Sequence, residues 1–177
     1  LEKTFNGDHF LKYLAINNAI VNWDSYGVMA HNYYLYNHST GHLMWIPWDH
    51  NEAMIGTPGI TGTATGGPAG QNHTPLSLSM NEVSGQWPLI SMIRDDEVYF
   101  SKYKTYLKWF NEDFLQQAAI GSMIDKYHEM ISNFVTGDEK EEFPYSSLQS
   151  ANDFNTSVTQ LKNHFTARSG LISSYVP

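Results

Sequence analysis

Apolar residues recur at helical spacing over residues 8–21, with Leu11, Leu14, Ala15 and Ala19 in one stripe and Tyr13, Ile16 and Ile20 in a second. A segment apolar on two sides predicts a buried helix, with Asp8 as its N-cap and its end near Asn22. The pattern then changes period. Residues 33–36 and 43–46 are aromatic and aliphatic runs separated by Asn37, His38, Ser39, Thr40, Gly41 and His42, which predicts a β-hairpin stopped by Pro47.

Residues 56–70, GTPGITGTATGGPAG, have no periodicity and read as a surface or lid loop. They lack the Lys-Ser/Thr ending and the GxGxxG spacing of phosphate-binding loops. Helical patterns fill the remainder. Pro88 suits a first turn ahead of Leu89, Ile90 and Ile93, and Asp95 and Asp96 precede a stripe of Tyr99, Tyr103, Tyr106, Leu107 and Phe110. Met123, Tyr127, Met130, Ile131 and Phe134 form a further stripe, and Phe154, Val158, Leu161 and Phe165 another; both are expected to be core. The charged stretch TGDEKEEF between them reads as a solvated connection. One hairpin among several helices gives an α+β class, mainly helical in its second half.

Composition narrows the function more than it names it. The chain has 177 residues, the size of one domain, and 41% hydrophobic residues with five Trp, eleven Tyr and nine Phe mark it as globular. A net charge of -8 without any Lys/Arg run argues against nucleic-acid contact and anionic membranes. No apolar run is long enough for a membrane span. The absence of cysteine excludes disulfides and thiolate sites. Because the sequence opens on Leu1, it is expected to be one domain, residues 1–177, cut from a longer polypeptide.

The candidate chemistry lies around the hairpin. Trp23-Asp24 precedes its first strand and Trp48-Asp49 follows its second, so hairpin geometry makes Asp24 and Asp49 candidates for one site. Two neighbouring carboxylates need a compensating cation or a shared proton. Mg²⁺ suits so few ligands, because water and phosphate oxygens complete its octahedron, and this points to phosphoryl transfer. The order Asp24, Asn32, hairpin, Asp49 matches the roles in protein kinases of catalytic-loop Asp, metal-ligating Asn, hairpin and metal-binding Asp. No His-Arg precedes Asp24 and no Phe-Gly follows Asp49. His31, His38, His42 and His50 also crowd the hairpin, but without a compact zinc-ligand spacing. Trp23, Trp45 and Trp48 are expected to pack.

NNAIVNWDSYGVMAHNYYLY, followed by HLMWIPWDHNEA, resembles the spore coat protein H (CotH) family of atypical protein kinases. The similarity has specific motifs over residues 5–54 and agrees in pattern over residues 87–176. It implies the C-terminal lobe of a kinase-like fold, with most of the ATP-binding N-terminal lobe outside this chain, because neither Lys3 nor Lys12 suits the phosphate-binding role. It further implies ATP and Mg²⁺ as cofactors, and transfer to hydroxyl side chains of a Ser-rich coat or surface protein at the spore coat or cell surface. Carried over by residue, Asp24 is the catalytic Asp, Asp49 the metal-binding Asp and Asn32 a metal or loop-ordering ligand, with Asn51 and Glu52 as weaker contacts. The alternative is a non-enzymatic kinase-like module that binds at a surface or coat.

Overall fold

A computed structural model describes residues 2–54, 64–65, 72–140 and 150–177. The described residues form an α+β arrangement, mainly helical, in the order α1 (Gly7–Ala19), β1 (Tyr33–Asn37), β2 (Leu43–Pro47), β3 (Ala64–Thr65), β4 (Asn72–His73), α2 (Pro88–Asp95), α3 (Glu97–Asp113), α4 (Gln117–Val135) and α5 (Ala151–Tyr175).

Helix α1 is buried as its double stripe predicts, with Phe10, Leu11, Leu14, Ala15 and Ala19 at most 1% exposed. Its cap differs from expectation. Asn6, not Asp8, is the N-cap, its side chain accepting from the His9 N–H at 3.0 Å. Asp8 sits in the first turn, where Lys102 of α3 lies 2.6 Å away and Lys12 3.2 Å away, and the Tyr106 hydroxyl donates to it. Lys102 chiefly, then Tyr106 and Lys12, hold the Asp8 carboxyl down to about 2. The helix also ends at Ala19, short of Asn22.

Helices α2 and α3 follow their sequence signals. Pro88 opens α2, and Asp96 caps α3 by accepting from the N–H groups of Val98 and Tyr99. Tyr103 and Leu107 of α3 are fully buried and pack with Leu11, Leu14 and Ile172 in one core cluster. Full burial of a Leu contributes about 1.5–3 kcal/mol, so this layer is the main support beneath α1.

The hairpin pairs antiparallel with Tyr33 opposite Pro47 and Asn37 opposite Leu43. It is held from below by rings. Trp45 is 1% exposed, stacks on Tyr33 with centroids 4.1 Å apart, and meets Phe10, Tyr13 and Tyr26 at 4.8–5.3 Å. The chain before α1 adds to the β2 edge: Asn6 N–H donates to the Leu43 carbonyl, and Leu43 N–H to the Thr4 carbonyl.

Three packing expectations need correction. Trp23 and Trp45 are buried, but Trp48 is 58% exposed and only edges against Tyr34. The α4 stripe is not core: Met123, Tyr127, Met130, Ile131 and Phe134 are exposed, because α4 turns a different face to α5. In the last helix only Phe165 of the expected stripe is buried, while Phe154, Val158 and Leu161 are half-buried. Within the stretch read as a loop, residues 64–65 pair antiparallel with 72–73, and the rest of residues 56–70 lies outside the described residues. The charged connection is described only to Lys140, with a turn after the α4 C-cap Thr136.

Candidate active site

The site begins at the C-terminus of α1. Val21 has φ 59°, its N–H donates to the Asn18 carbonyl, and the Asn22 N–H reaches back to the Asn17 carbonyl at 3.1 Å. That is a Schellman ending, in which a left-handed residue usually supplied by Gly lets the next two N–H groups satisfy helix carbonyls. A β-branched residue is costly at positive φ, so the surroundings must hold it there. They do so with buried amides. Asn22 Nδ2 donates to Asn17 Oδ1 at 3.0 Å, and Asn17 Nδ2 donates to Ser25 Oγ at 2.9 Å.

Two further groups secure the same helix end. Arg168 of α5, buried, donates from Nε to the Ala19 carbonyl at 3.0 Å and from Nη2 to the Asn18 carbonyl at 2.8 Å. A cation at a helix C-terminus also complements the helix dipole. The Met54 N–H donates to the Ile20 carbonyl at 2.9 Å, which returns the segment after the hairpin to α1. Gly27, φ 116°, closes the turn beyond Asp24, where a Cβ would meet Leu76 Cδ1 at 2.7 Å and Ile90 Cδ1 at 2.8 Å.

Asp24 therefore leaves a rigid platform, with 15% of its side chain exposed. Asn32 Nδ2 donates at 2.9 Å to both the Asp24 carbonyl oxygen and Asp24 Oδ2. His31 Nε2 lies 2.6 Å from Asp24 Oδ1. Both acceptors that face Asn32 are oxygens without protons, so its amide nitrogen must point at Asp24 and its Oδ1 away. Among the described residues nothing donates to that Oδ1.

The hairpin register then sets Asn32 against the second motif. Tyr33 pairs with Pro47, and the Trp48 N–H donates to the Asn32 carbonyl at 3.0 Å. Asp49 follows Trp48 directly, with φ 50°, and is exposed. The structure thus brings Asp24 and Asn32 into direct contact and sets Asp49 one residue past the position opposite Asn32. No hydrogen bond or ion pair from the Asp49 side chain is made among the described residues. Asn51 is exposed and Glu52 half-buried, and neither side chain has a partner there. Four of the non-glycine residues at positive φ, Val21, Asn32, Asp49 and Met54, mark the turns that meet here.

Of the histidines, His38 bonds within the hairpin turn to Thr40, and no group of three or more His, Asp or Glu able to hold a metal occurs among the described residues. Among the described residues, Asn32 Oδ1, the Asp49 carboxylate and the side-chain oxygens of Asn51 and Glu52 are open oxygen donors, a donor type that fits a hard cation that keeps several waters.

A model of the CotH kinase protein family matches residues 1–172. The chain belongs to the CotH kinase family. A comparison with curated proteins finds no match. The sequence places Asp24, Asn32 and Asp49 around the hairpin in this CotH kinase family member and His31 among the histidines there, but it shows neither the His31–Asp24 contact nor the parts played by Arg168 and the Asn17–Asn22 pair. Arg168 left one signal: it falls at helical spacing between Phe165 and Ile172, inside an apolar stripe.

Proposed function

We propose that the protein transfers the γ-phosphoryl group of ATP, with Mg²⁺, to hydroxyl side chains of a protein substrate, with Asp24 as the catalytic residue. The observation that carries this reading is the Asn32 bridge. One amide fixes Asp24 through its nitrogen and leaves an oxygen facing away, on the residue paired to the neighbour of Asp49. Asn32 and Asp49 would hold Mg²⁺, which when bound neutralises phosphate charge. Asp24 accepts or orients the proton of the substrate hydroxyl, an effect of typically about 10²- to 10⁴-fold for a positioned base. The kinase-like C-terminal lobe belongs to the same reading: the α1 end supplies the catalytic turn and the hairpin carries the metal-side Asp.

The test is transfer from radiolabelled ATP by the full-length protein, with Mg²⁺ and a Ser-rich protein acceptor. Asp24→Ala and Asp49→Ala should each abolish transfer. Activity retained in both variants removes the assignment.

A second reading, a non-enzymatic surface or coat interaction module, is favoured by one observation: the α4 stripe of Met123, Tyr127, Met130 and Phe134 is exposed and apolar. If the full-length protein neither binds ATP nor transfers phosphate, that reading takes its place.

A further inference from the structure

Asn32 does not hold Asp24 alone. The two carboxylate oxygens are divided between consecutive residues: Oδ1 lies 2.6 Å from His31 Nε2, and Oδ2 lies 2.9 Å from Asn32 Nδ2. In extended backbone, consecutive side chains point to opposite faces, so neighbours cannot ordinarily grip one carboxylate. Here Asn32 has φ 61°, in the left-handed region that Asn tolerates well, and the alternation is broken just before β1 starts. The backbone conformation at Asn32 thus serves both contacts.

We infer that His31 is a positioning residue for Asp24, fixing the rotation of its carboxylate so that the lone pairs left open face the substrate hydroxyl. This rests on the reading of Asp24 as the catalytic residue. The physical need follows from the contacts. Asn32 bonds the Asp24 main chain and Oδ2 from a single nitrogen, which constrains where the residue sits but grips the carboxylate on one oxygen only. A terminal carboxylate torsion is broad and roughly two-fold, so one contact leaves it free to swing. A second donor on the other oxygen removes that freedom. Each ionised oxygen has two acceptor sites, so Oδ1 and Oδ2 keep one apiece for substrate after both contacts are made. An ionised carboxylate only accepts, so His31 presents Nε2–H, and its imidazole is 48% exposed at the mouth of the site.

The role differs from that of a packing residue, because a ring half in solvent contributes little to the core. Its removal should therefore alter turnover without altering the fold.

The experiment compares His31→Ala with His31→Gln in the full-length protein, since the Gln amide N–H can take the place of Nε2–H. His31→Ala should lower kcat about 10- to 100-fold, the range expected for a misoriented catalytic group, with KM for ATP and for the protein acceptor little changed. His31→Gln should recover most of that loss, and both variants should keep the parent melting temperature. A kcat for His31→Ala within about twofold of the parent overturns the proposal, as does a failure of His31→Gln to rescue. Crystal structures of both variants give a reading that needs no activity. The Asp24 carboxylate should rotate or lose order in His31→Ala and keep its orientation in His31→Gln; an unchanged carboxylate in His31→Ala overturns the proposal. Asp24→Ala separates the two failures: if that variant still transfers phosphate, the assignment of Asp24 is what fails, and the crystal structures still decide what His31 does.

Discussion

Asn32 Nδ2 lies 2.9 Å from both the carbonyl oxygen and Oδ2 of Asp24, so one amide fixes the backbone and the side chain of the same residue. Replacing it tests orientation and charge separately. Asn32→Ala removes both bonds and should lower transfer on the order of 10²-fold. Asn32→Asp puts a second carboxylate against Asp24 Oδ2, where like charges repel, and should be at least as damaging. Phosphate transfer by the purified full-length variants checks both, and an Asn32→Ala variant with parent activity contradicts the assigned contact.

Arg168 supplies both donors to the Asn18 and Ala19 carbonyls at the helix end from which the Asp24 turn departs. Arg168→Met keeps much of the volume but removes the side-chain donor from both carbonyls, leaving the Asn18 carbonyl with the Val21 N–H, and should cost about 1–3 kcal/mol. Arg168→Lys keeps the charge without the fork and should fall between. Urea denaturation measures the difference, with the midpoint moving and the slope unchanged.

His164 is buried, and that burial together with the Arg168 charge pushes its imidazole down to about 4 from the ordinary 6.5. The unfolded chain therefore binds a proton below pH 6.5 that the folded chain refuses until about pH 4. Stability from this group is fully present above pH 6.5 and is lost as pH falls from 6.5 to 4, by at most about 3 kcal/mol. Asp8, lowered from 3.8 to about 2, acts in the next window: its contribution is present above pH 3.8 and is lost as pH falls through 2. Melting temperature against pH should therefore fall in two successive stages. His164→Phe should flatten the first and leave the second.

The exposed α4 stripe gives a contrast within one chain. Met130, 57% exposed, should tolerate substitution by Gln within about 0.5 kcal/mol. Leu107, fully buried in α3, should cost about 2–5 kcal/mol as Leu107→Ala. Thermal or chemical denaturation of the two variants distinguishes them; equal losses would place Met130 in the core after all.

How much of this could be read from the sequence depends on whether the deciding force is local. The hairpin, the Pro88 start and the Asp95-Asp96 pair ahead of α3, of which Asp96 is the cap, were legible because turn chemistry and capping act within a few residues. The α1 cap was not: Asn6 and Asp8 both have capping chemistry, and the choice follows from Lys102, which α3 brings from far along the chain. The α4 stripe shows the limit of periodicity, which says which residues share a face but not whether anything covers it. His31 was visible as one of four histidines around the hairpin, but its contact was not, because its partner is the carboxylate seven residues earlier and the positive φ of its neighbour breaks the alternation. In the candidate site, the order of Asp24, Asn32 and Asp49 was readable, whereas the bonds that orient Asp24 required the fold.

The distance along the chain between Ala19 and Arg168 also orders events in time. They are 149 residues apart, so a ribosome adding about 5–20 residues per second makes the α1 end roughly 7–30 s before the group that fastens it. Until then the buried carbonyls of Asn18 and Ala19 lack these two donors, and the turn that presents Asp24 is not yet secured. A nascent chain therefore lacks this anchor for the turn that carries Asp24 until Arg168 has been made, and a product terminated before Arg168 never acquires it.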